Sequence, residues 1–381
     1  MIEICKKENC TGCGLCTIVC TKDAISMTKG KYGHLFPVID KTLCIDCGLC
    51  KKKCPSNSTI KSIPPQKAYA AFSNDDKDYR SSTSGAAASV FSNYIIEQGG
   101  IVYGCAVCNI NDKTLDVKHI RVARKEDLPR LKGSKYVQSR ITEILPLLKK
   151  DVKAAKEVLF IGTPCQIAAV CNLFNKVPDN LYLIDIVCHG VPSLDMLQKH
   201  ITKKIGEQDV DNIQFRVGAE YHMLISYKEN TLYENHLFNE RYKDEYFNSF
   251  FYGFICRDSC NNCKYAKDTR ISDITIGDFW GLGKMGDTSN IKKHDNGISV
   301  ILSITSKGEE LLNKVNSKFN IYERPVPEAI NGNDQLHKPK SINNRTFIFR
   351  TLYRFFPFSI AYKLSMLDKK IINIKNVLKT K

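Results

Sequence analysis

Short apolar runs closed by glycine, proline or cysteine recur along the chain. Residues 24–28 (Ala-Ile-Ser-Met-Thr) and 34–39 (His-Leu-Phe-Pro-Val-Ile) flank a Lys-Gly-Lys-Tyr-Gly turn and predict a β-hairpin. Residues 68–72 (Ala-Tyr-Ala-Ala-Phe) predict a buried strand. After a polar loop, the Ala-rich stretch beyond Gly85 predicts a helix ending at Gln98-Gly99-Gly100, with a strand at 101–104. The continuous runs 158–161 (Val-Leu-Phe-Ile) and 181–187 (Leu-Tyr-Leu-Ile-Asp-Ile-Val) have the character of strands buried in a parallel sheet. Their tight turns put residues 163–166 and 188–190 at the carboxyl ends of strands, where α/β sheets bind ligands. The turn His294-Asp295-Asn296-Gly297 leads into another strand at 298–302.

The cysteines sharpen this outline. Cys44, Cys47, Cys50 and Cys54, followed by Pro55, have the C-x2-C-x2-C-x3-C-P spacing of two-cluster ferredoxins, and Cys10, Cys13, Cys16 and Cys20 repeat it. Both copies share a Cys-Gly-Leu-Cys core, the mark of an internal duplication. Three thiolates two residues apart reach three corners of one 4Fe-4S cubane from a single loop, while the fourth serves the other cluster. This groups Cys10, Cys13 and Cys16 with Cys54, and Cys44, Cys47 and Cys50 with Cys20. Zinc or disulfides would not need four thiols per copy at this offset. Thr21 stands where proline usually follows the fourth cysteine, and Cys5 lies outside the pattern as a bystander.

A chain of 381 residues has room for two or more domains. Residues 62–67, rich in proline and polar groups, read as a linker between a unit at 1–61 and a larger one. With no apolar signal core at the start and no apolar run of membrane-spanning length, the 17 cysteines suit a reducing cytoplasm and metal. The formal charge of +16 falls once thiolate-held clusters, each of about two negative charges, are counted. Eleven Lys or Arg face one acid, Asp368, over residues 338–381, so the basicity belongs to the tail and is no sign of nucleic-acid binding.

Further candidates lie in the larger unit. Arg80-Ser81-Ser82-Thr83-Ser84-Gly85 opens a helix whose free amides suit a phosphate or flavin edge, although a plain serine cap explains it too. Cys105-Ala106-Val107-Cys108 is either a redox dithiol or, the preferred reading, two strand cysteines. Lys135 lies in a Lys-Gly-Ser-Lys loop fit for an anionic ligand. Cys256, Cys260 and Cys263 match three corners of a third cubane, with Cys188 the first choice and Cys165 the second for its fourth ligand; a structural zinc knuckle is the alternative. A radical S-adenosylmethionine reading is disfavoured because Asn262 stands where an aromatic normally precedes the last cysteine. The tail interleaves aromatic and basic residues and ends in Lys-rich helical sequence, suiting an anionic membrane surface, a partner, or the body of the protein.

The two ferredoxin motifs, Arg80-Ser-Ser-Thr-Ser-Gly85, Gly133-Ser-Lys-Tyr-Val-Gln138, Gly162-Thr-Pro-Cys-Gln166, Cys188-His-Gly-Val-Pro192, Cys256-x3-Cys260-x2-Cys263 and Gly277-Asp-Phe-Trp-Gly281 together resemble the coenzyme F420 hydrogenase/dehydrogenase beta-subunit family fused to a two-cluster ferredoxin. The resemblance implies an FAD-dependent iron-sulfur oxidoreductase with one 4Fe-4S cluster beside the flavin. Electrons would pass between a two-electron carrier, coenzyme F420 or another, and the clusters. Ser82, Ser84, Gly85, Lys135, Thr163 and Gln166 are then the expected flavin-site residues, while His189 and Asp278 receive no catalytic role. Ala86 departs from the second glycine common in the family.

The fold class expected is α+β and α/β. A small two-cluster ferredoxin-like domain precedes a mixed α/β flavin-binding domain with strand-end ligand loops, over 68–335 in parts 68–150 and 151–335, and a basic aromatic tail occupies 336–381. The expected partner is a redox protein or soluble electron carrier, and the expected location is the cytoplasm, with the tail able to reach the inner face of the membrane. The rival function is a polyferredoxin-like electron-transfer subunit without its own substrate.

Overall fold

In the computed structural model, residues 3–111, 113–154, 156–237 and 244–367 are described. Each Cys-Gly-Leu-Cys core enters a short helix, Leu15–Val19 or Leu49–Lys52, through a glycine in the left-handed region. Between them β1 (Ile25–Lys29) and β2 (Leu35–Ile39) pair antiparallel, Ile25 opposite Ile39, as the hairpin pattern predicts. Cys16, Cys50 and Cys54 are buried with Ile4 and Ile25 in a small core that is largely thiol.

The larger unit is built on an eight-stranded mixed sheet. Its strands are β3 (Lys67–Ser73), β4 (Ile101–Asn111), β5 (Thr114–Val122), β6 (Val158–Gly162), β7 (Leu181–Ile186), then, after the separate three-stranded sheet of β8 (Asn212–Gln214), β9 (His222–Tyr227) and β10 (Asn230–His236), β11 (Ile274–Asp278), β12 (Ser299–Ser303) and β13 (Phe319–Arg324). The order across the sheet is β13-β3-β12-β11-β7-β6-β4-β5, with β11, β7, β6 and β4 parallel and the flanks antiparallel.

Alternation along the central strands explains the unbroken apolar runs. Tyr103, Phe160 and Leu183 face the helices Leu145–Lys153 and Pro164–Leu173, whereas Val102, Leu159 and Ile184 face Ala87–Glu97 and Ser306–Val315. The strand expected at 101–104 continues to Asn111 because β5 pairs with its whole length. Cys105 and Cys108, three apart on that strand, therefore project from opposite faces, which removes the dithiol reading.

The cysteine unit is docked on this body. Leu15, Ile18 and Val19 pack with Ile141, Leu145 and Ile167. Gln138 donates to Thr11 O at 2.8 Å, and the His34 ring bonds Val191 O at 3.1 Å. Ile63, in the stretch read as a linker, exchanges two backbone hydrogen bonds with Arg270. At the other end the helices Asn344–Leu352 and Phe358–Ser365 pack Phe349, Ala361 and Tyr362 into the core formed by the three-stranded sheet and the helices Leu194–Ile205 and Glu245–Phe251. Phe347 and Phe355 stay in solvent. The Lys-rich end of the tail, 368–381, lies outside the described residues. No helix among the described residues is long and apolar enough to cross a membrane.

Candidate functional site

The parallel strands β6, β7 and β11 end side by side, and the turns beyond Gly162, Ile186 and Asp278 enclose a cavity of about 310 Å³. Thr163, Cys165, Cys188, His189, Asp278 and Trp280 line this end, and Ser82, Ser84 and Lys135 line the side toward the helix Ala87–Glu97. Five of the six expected flavin-site residues thus share one cavity. Gly85 faces the sheet instead: its amide donates to Ser299 Oγ at 3.0 Å, and a Cβ there would lie 2.1 Å from Ala71 O, so this glycine lets the helix approach the strands. Ala86 adopts φ 64, a left-handed conformation that explains why glycine suits this position.

The polar groups differ in what they have left to offer. Gln166 Oε1 accepts from the Thr163 amide at 2.9 Å, and its Nε2 donates to Ser139 Oγ at 3.0 Å, so Thr163 and Gln166 form a capping box that shapes the turn. Ser84 Oγ is spent on Ile298 O. By contrast, Ser82 Oγ and Arg216 Nε are buried without a hydrogen bond. Lys135 Nζ donates to the carbonyls of Leu131 and Lys132, with no carboxylate paired to it among the described residues, and burial lowers its pKa. Arg216 also binds Asp278 at 2.8 Å and lies 5.0 Å from the Tyr221 ring centroid. Burial keeps His189 toward its neutral form.

Cys256, Cys260, Cys263, Cys188 and Cys165 form one group of interacting thiols beneath the same strand ends. Residue 190 is the hinge of that group. Gly190 has φ 100, and a Cβ on it would lie 2.9 Å from Cys256 Sγ. The amide of Arg257 bonds Val191 O, tying the Cys188 turn to the Cys256 loop. Cys165 Sγ contacts Thr163 Oγ1 at 3.2 Å. From the tail, Arg350 donates to Cys256 O and pairs with Asp258, each at 2.7 Å.

In the cysteine unit, Cys10, Cys13, Cys16 and Cys54 interact with one another, and Cys50 interacts with Cys47 and Cys20. Cys5, expected to be a bystander, packs against the thiol core beside Cys10 and Cys54.

Two observations test whether these groups fit iron-sulfur clusters. Burial pushes the Cys13 thiol up to about 12, so it is inert unless a metal takes its proton. Arg257 is 1% exposed and no carboxylate accepts from it among the described residues; its partners are Cys10 O at 2.5 Å, Leu35 O at 2.7 Å, Gln138 Oε1 at 3.2 Å and Cys10 Sγ at 3.5 Å. A buried cation requires a buried anion, and a thiolate-held cluster supplies one. The residues fit.

Sequence reasoning left Arg257, Arg216, Tyr221 and Asn296 unmarked. Asn296 donates to Tyr79 O at 2.7 Å and Ser82 O at 3.0 Å, bracing the loop before the Ala-rich helix. None carries a local spacing signal; each acts across more than sixty residues of chain.

A ferredoxin-like cysteine unit seated on a mixed α/β body, with a third thiol group at the strand ends, defines an iron-sulfur protein. Residues 9–58 match the 4Fe-4S dicluster domain, and residues 155–329 match the family described as the C terminus of the coenzyme F420 hydrogenase/dehydrogenase beta subunit. Over residues 155–329 the chain is thus similar to that beta-subunit family, with a dicluster domain ahead of the matched stretch.

It is 24% identical over 342 residues to the coenzyme F420-dependent sulfite reductase of Methanocaldococcus jannaschii, a match covering 84% of this chain and 48% of the reductase. The chain thus spans about half the length of that relative. It is also 37% identical over 62 residues to an uncharacterized ferredoxin of the same organism, covering 16% of this chain and 79% of the ferredoxin. Among solved structures, a chain of the F420-reducing NiFe hydrogenase complex of Methanosarcina barkeri matches at 18% identity with a TM-score of 0.46, over 72% of this chain and 86% of that one.

Proposed function

We propose that the chain is an FAD-dependent iron-sulfur oxidoreductase that moves electrons between a two-electron carrier, coenzyme F420 or another, and a series of 4Fe-4S clusters. The observation that carries this reading is the sharing of one wall. Cys165 and Cys188 belong to the thiol group of Cys256, Cys260 and Cys263, and both also line the 310 Å³ cavity. Whatever occupies that cavity lies against the third metal site.

Bound there, a flavin would supply exchange of electron pairs with a carrier and of single electrons with clusters. The chain's own residues prepare the place. The cavity opens into a groove of about 1240 Å³ that shares Ser82, Lys132, Lys135 and Arg216 with it and is also bordered by Lys77, Arg80 and Arg130. The inner space suits a planar ring, and the cationic groove suits a diphosphate. Lys135 would hold negative charge, while Ser82 Oγ and Arg216 Nε offer hydrogen bonds that no protein group uses.

The ligand sets that follow are Cys10, Cys13 and Cys16 with Cys54; Cys44, Cys47 and Cys50 with Cys20; and Cys256, Cys260 and Cys263 with Cys188. Cys188 is preferred over Cys165 because its turn is tied to the Cys256 loop through Val191. A redox protein or soluble carrier of the cytoplasm would serve as partner. The organisation follows as a docked cluster unit (1–61), a pinned connector (62–67) and the body (68–335), with the helices beyond 336 bracing the third site.

The test is anaerobic purification of the chain with iron, zinc, acid-labile sulfide and extractable flavin all counted. About twelve iron with one FAD is the expected result. About eight iron and no flavin from a fully loaded preparation would overturn it in favour of an electron relay without a substrate of its own.

A further inference from the structure

Away from the cysteines, one cluster of metal-binding side chains has no place in the chemistry above. Antiparallel pairing of β9 and β10 puts His222 directly opposite His236, and the two rings stack with centroids 3.8 Å apart. Glu234, two residues from His236 along β10, shares its face. One ring nitrogen from each histidine and one Glu234 oxygen all lie within 4.8 Å of one another. His222 Nε2 is buried, makes no hydrogen bond and lies 3.7 Å from Glu234 Oε2. Glu220 completes the group, its Oε2 3.3 Å from His236 Nδ1.

We propose that His222, His236 and Glu234 bind a divalent zinc-like cation, with Glu220 holding the His236 ring. The donor set is the argument. Two imidazoles and a carboxylate form a three-ligand zinc site with water in the fourth place. A carboxylate on the far nitrogen of a ligating histidine fixes its tautomer and orientation. Metal–nitrogen distances of about 2.0–2.1 Å require the side chains to draw together by about an ångström, which short rotations at the end of a hairpin allow. The bond missing at His222 Nε2 is the one the metal would make.

The site would clamp the open ends of the hairpin. Tyr221, adjacent to His222, stacks on Tyr136 at 6.2 Å, and both rings line the 310 Å³ cavity. A cation here would therefore stiffen one wall of the reaction site without touching it. The inference does not depend on what fills that cavity.

The experiment titrates zinc into the full-length, cluster-loaded chain against a chromophoric chelator, with iron and sulfide counted in every sample. Wild type should take up one zinc more than His222→Gln or His236→Gln at equal iron content. Glu234→Gln, a change at an exposed carboxylate that leaves the hairpin pairing intact, should weaken that equivalent at least tenfold. Zinc should raise the thermal midpoint of wild type and leave that of His222→Gln unmoved. Equal zinc uptake and equal thermal response by wild type, His222→Gln and Glu234→Gln would overturn the proposal.

Discussion

Replacing Arg257 by glutamine removes a positive charge from a place water does not reach. The guanidinium is 1% exposed, and Nη2 is 3.5 Å from Cys10 Sγ. At an effective dielectric constant of about 20, unit charges about 3.5 Å apart interact by roughly 4 to 5 kcal/mol. An electron added to a cluster is spread over all its atoms, so about half of that, on the order of 2 kcal/mol or roughly 90 mV for one electron, bears on reduction. The sign follows from charge: the reduced state is the more negative one, and losing a nearby cation disfavours it. The midpoint potential of the cluster expected at Cys10 should therefore fall by that amount in Arg257→Gln, and by less than half of it in Arg257→Lys, which keeps the charge. The assay is a potentiometric titration followed by electron paramagnetic resonance on anaerobic protein with iron and sulfide counted. A fully loaded glutamine variant that titrates within about 20 mV of wild type would refute the reasoning, because the buried cation would then be neutralised by something other than the cluster.

Four other outcomes are expected. Cys188→Ser should lower iron from about twelve to about eight per chain while Cys165→Ser does not, and Gly190→Ala should act like Cys188→Ser because its new Cβ would crowd Cys256 Sγ, 2.9 Å away; iron and sulfide analysis decides. Lys135→Met should weaken flavin binding roughly ten- to a hundredfold, the worth of a hydrogen bond to a charged group, and unchanged flavin retention would remove Lys135 from the site. Arg270→Met removes the cation bound to the buried Asp185 carboxylate at 2.7 Å and leaves it only hydroxyl donors such as Thr275 Oγ1, costing about 3–5 kcal/mol, read as a lower midpoint in urea. His119 is held neutral in the fold, its pKa pushed down to about 4 by burial. As pH falls below 6.5 the unfolded chain takes up this proton first, so stability present above 6.5 drains away toward pH 4, by about 3 kcal/mol in all; His119→Gln should flatten that slope in thermal melts.

Much of the site was legible because it is local in sequence. Cluster spacing is set by how far a short loop reaches, so Cys10, Cys13 and Cys16 announce themselves without a fold. The turns after 158–161 and 181–187 were legible for a related reason: a strand buried on both faces must be apolar throughout, and its end is marked by the first residues that break the run. The capping box of Thr163 and Gln166 shows the limit. Both residues are expected at a flavin, and both line the cavity, yet their side chains hold the turn and Ser139. Gly85 is expected there for the same reason and serves the helix–sheet contact.

What the chain decides alone is therefore its set of cysteine loops, its alternation of apolar strands with helices, and the glycines where backbone must turn or approach. Those depend on neighbours within a few residues, through hydrogen-bond geometry and side-chain period. Tertiary structure alone decides which thiols meet, that Cys5 leans on Cys10 and Cys54, that Arg257 carries its charge to a cysteine 247 residues away, and that the tail's Arg350 steadies Cys256. These contacts arise because burying the strand and helix faces forces distant segments together, and a buried charge or thiol must then find its partner among whatever that packing brings near.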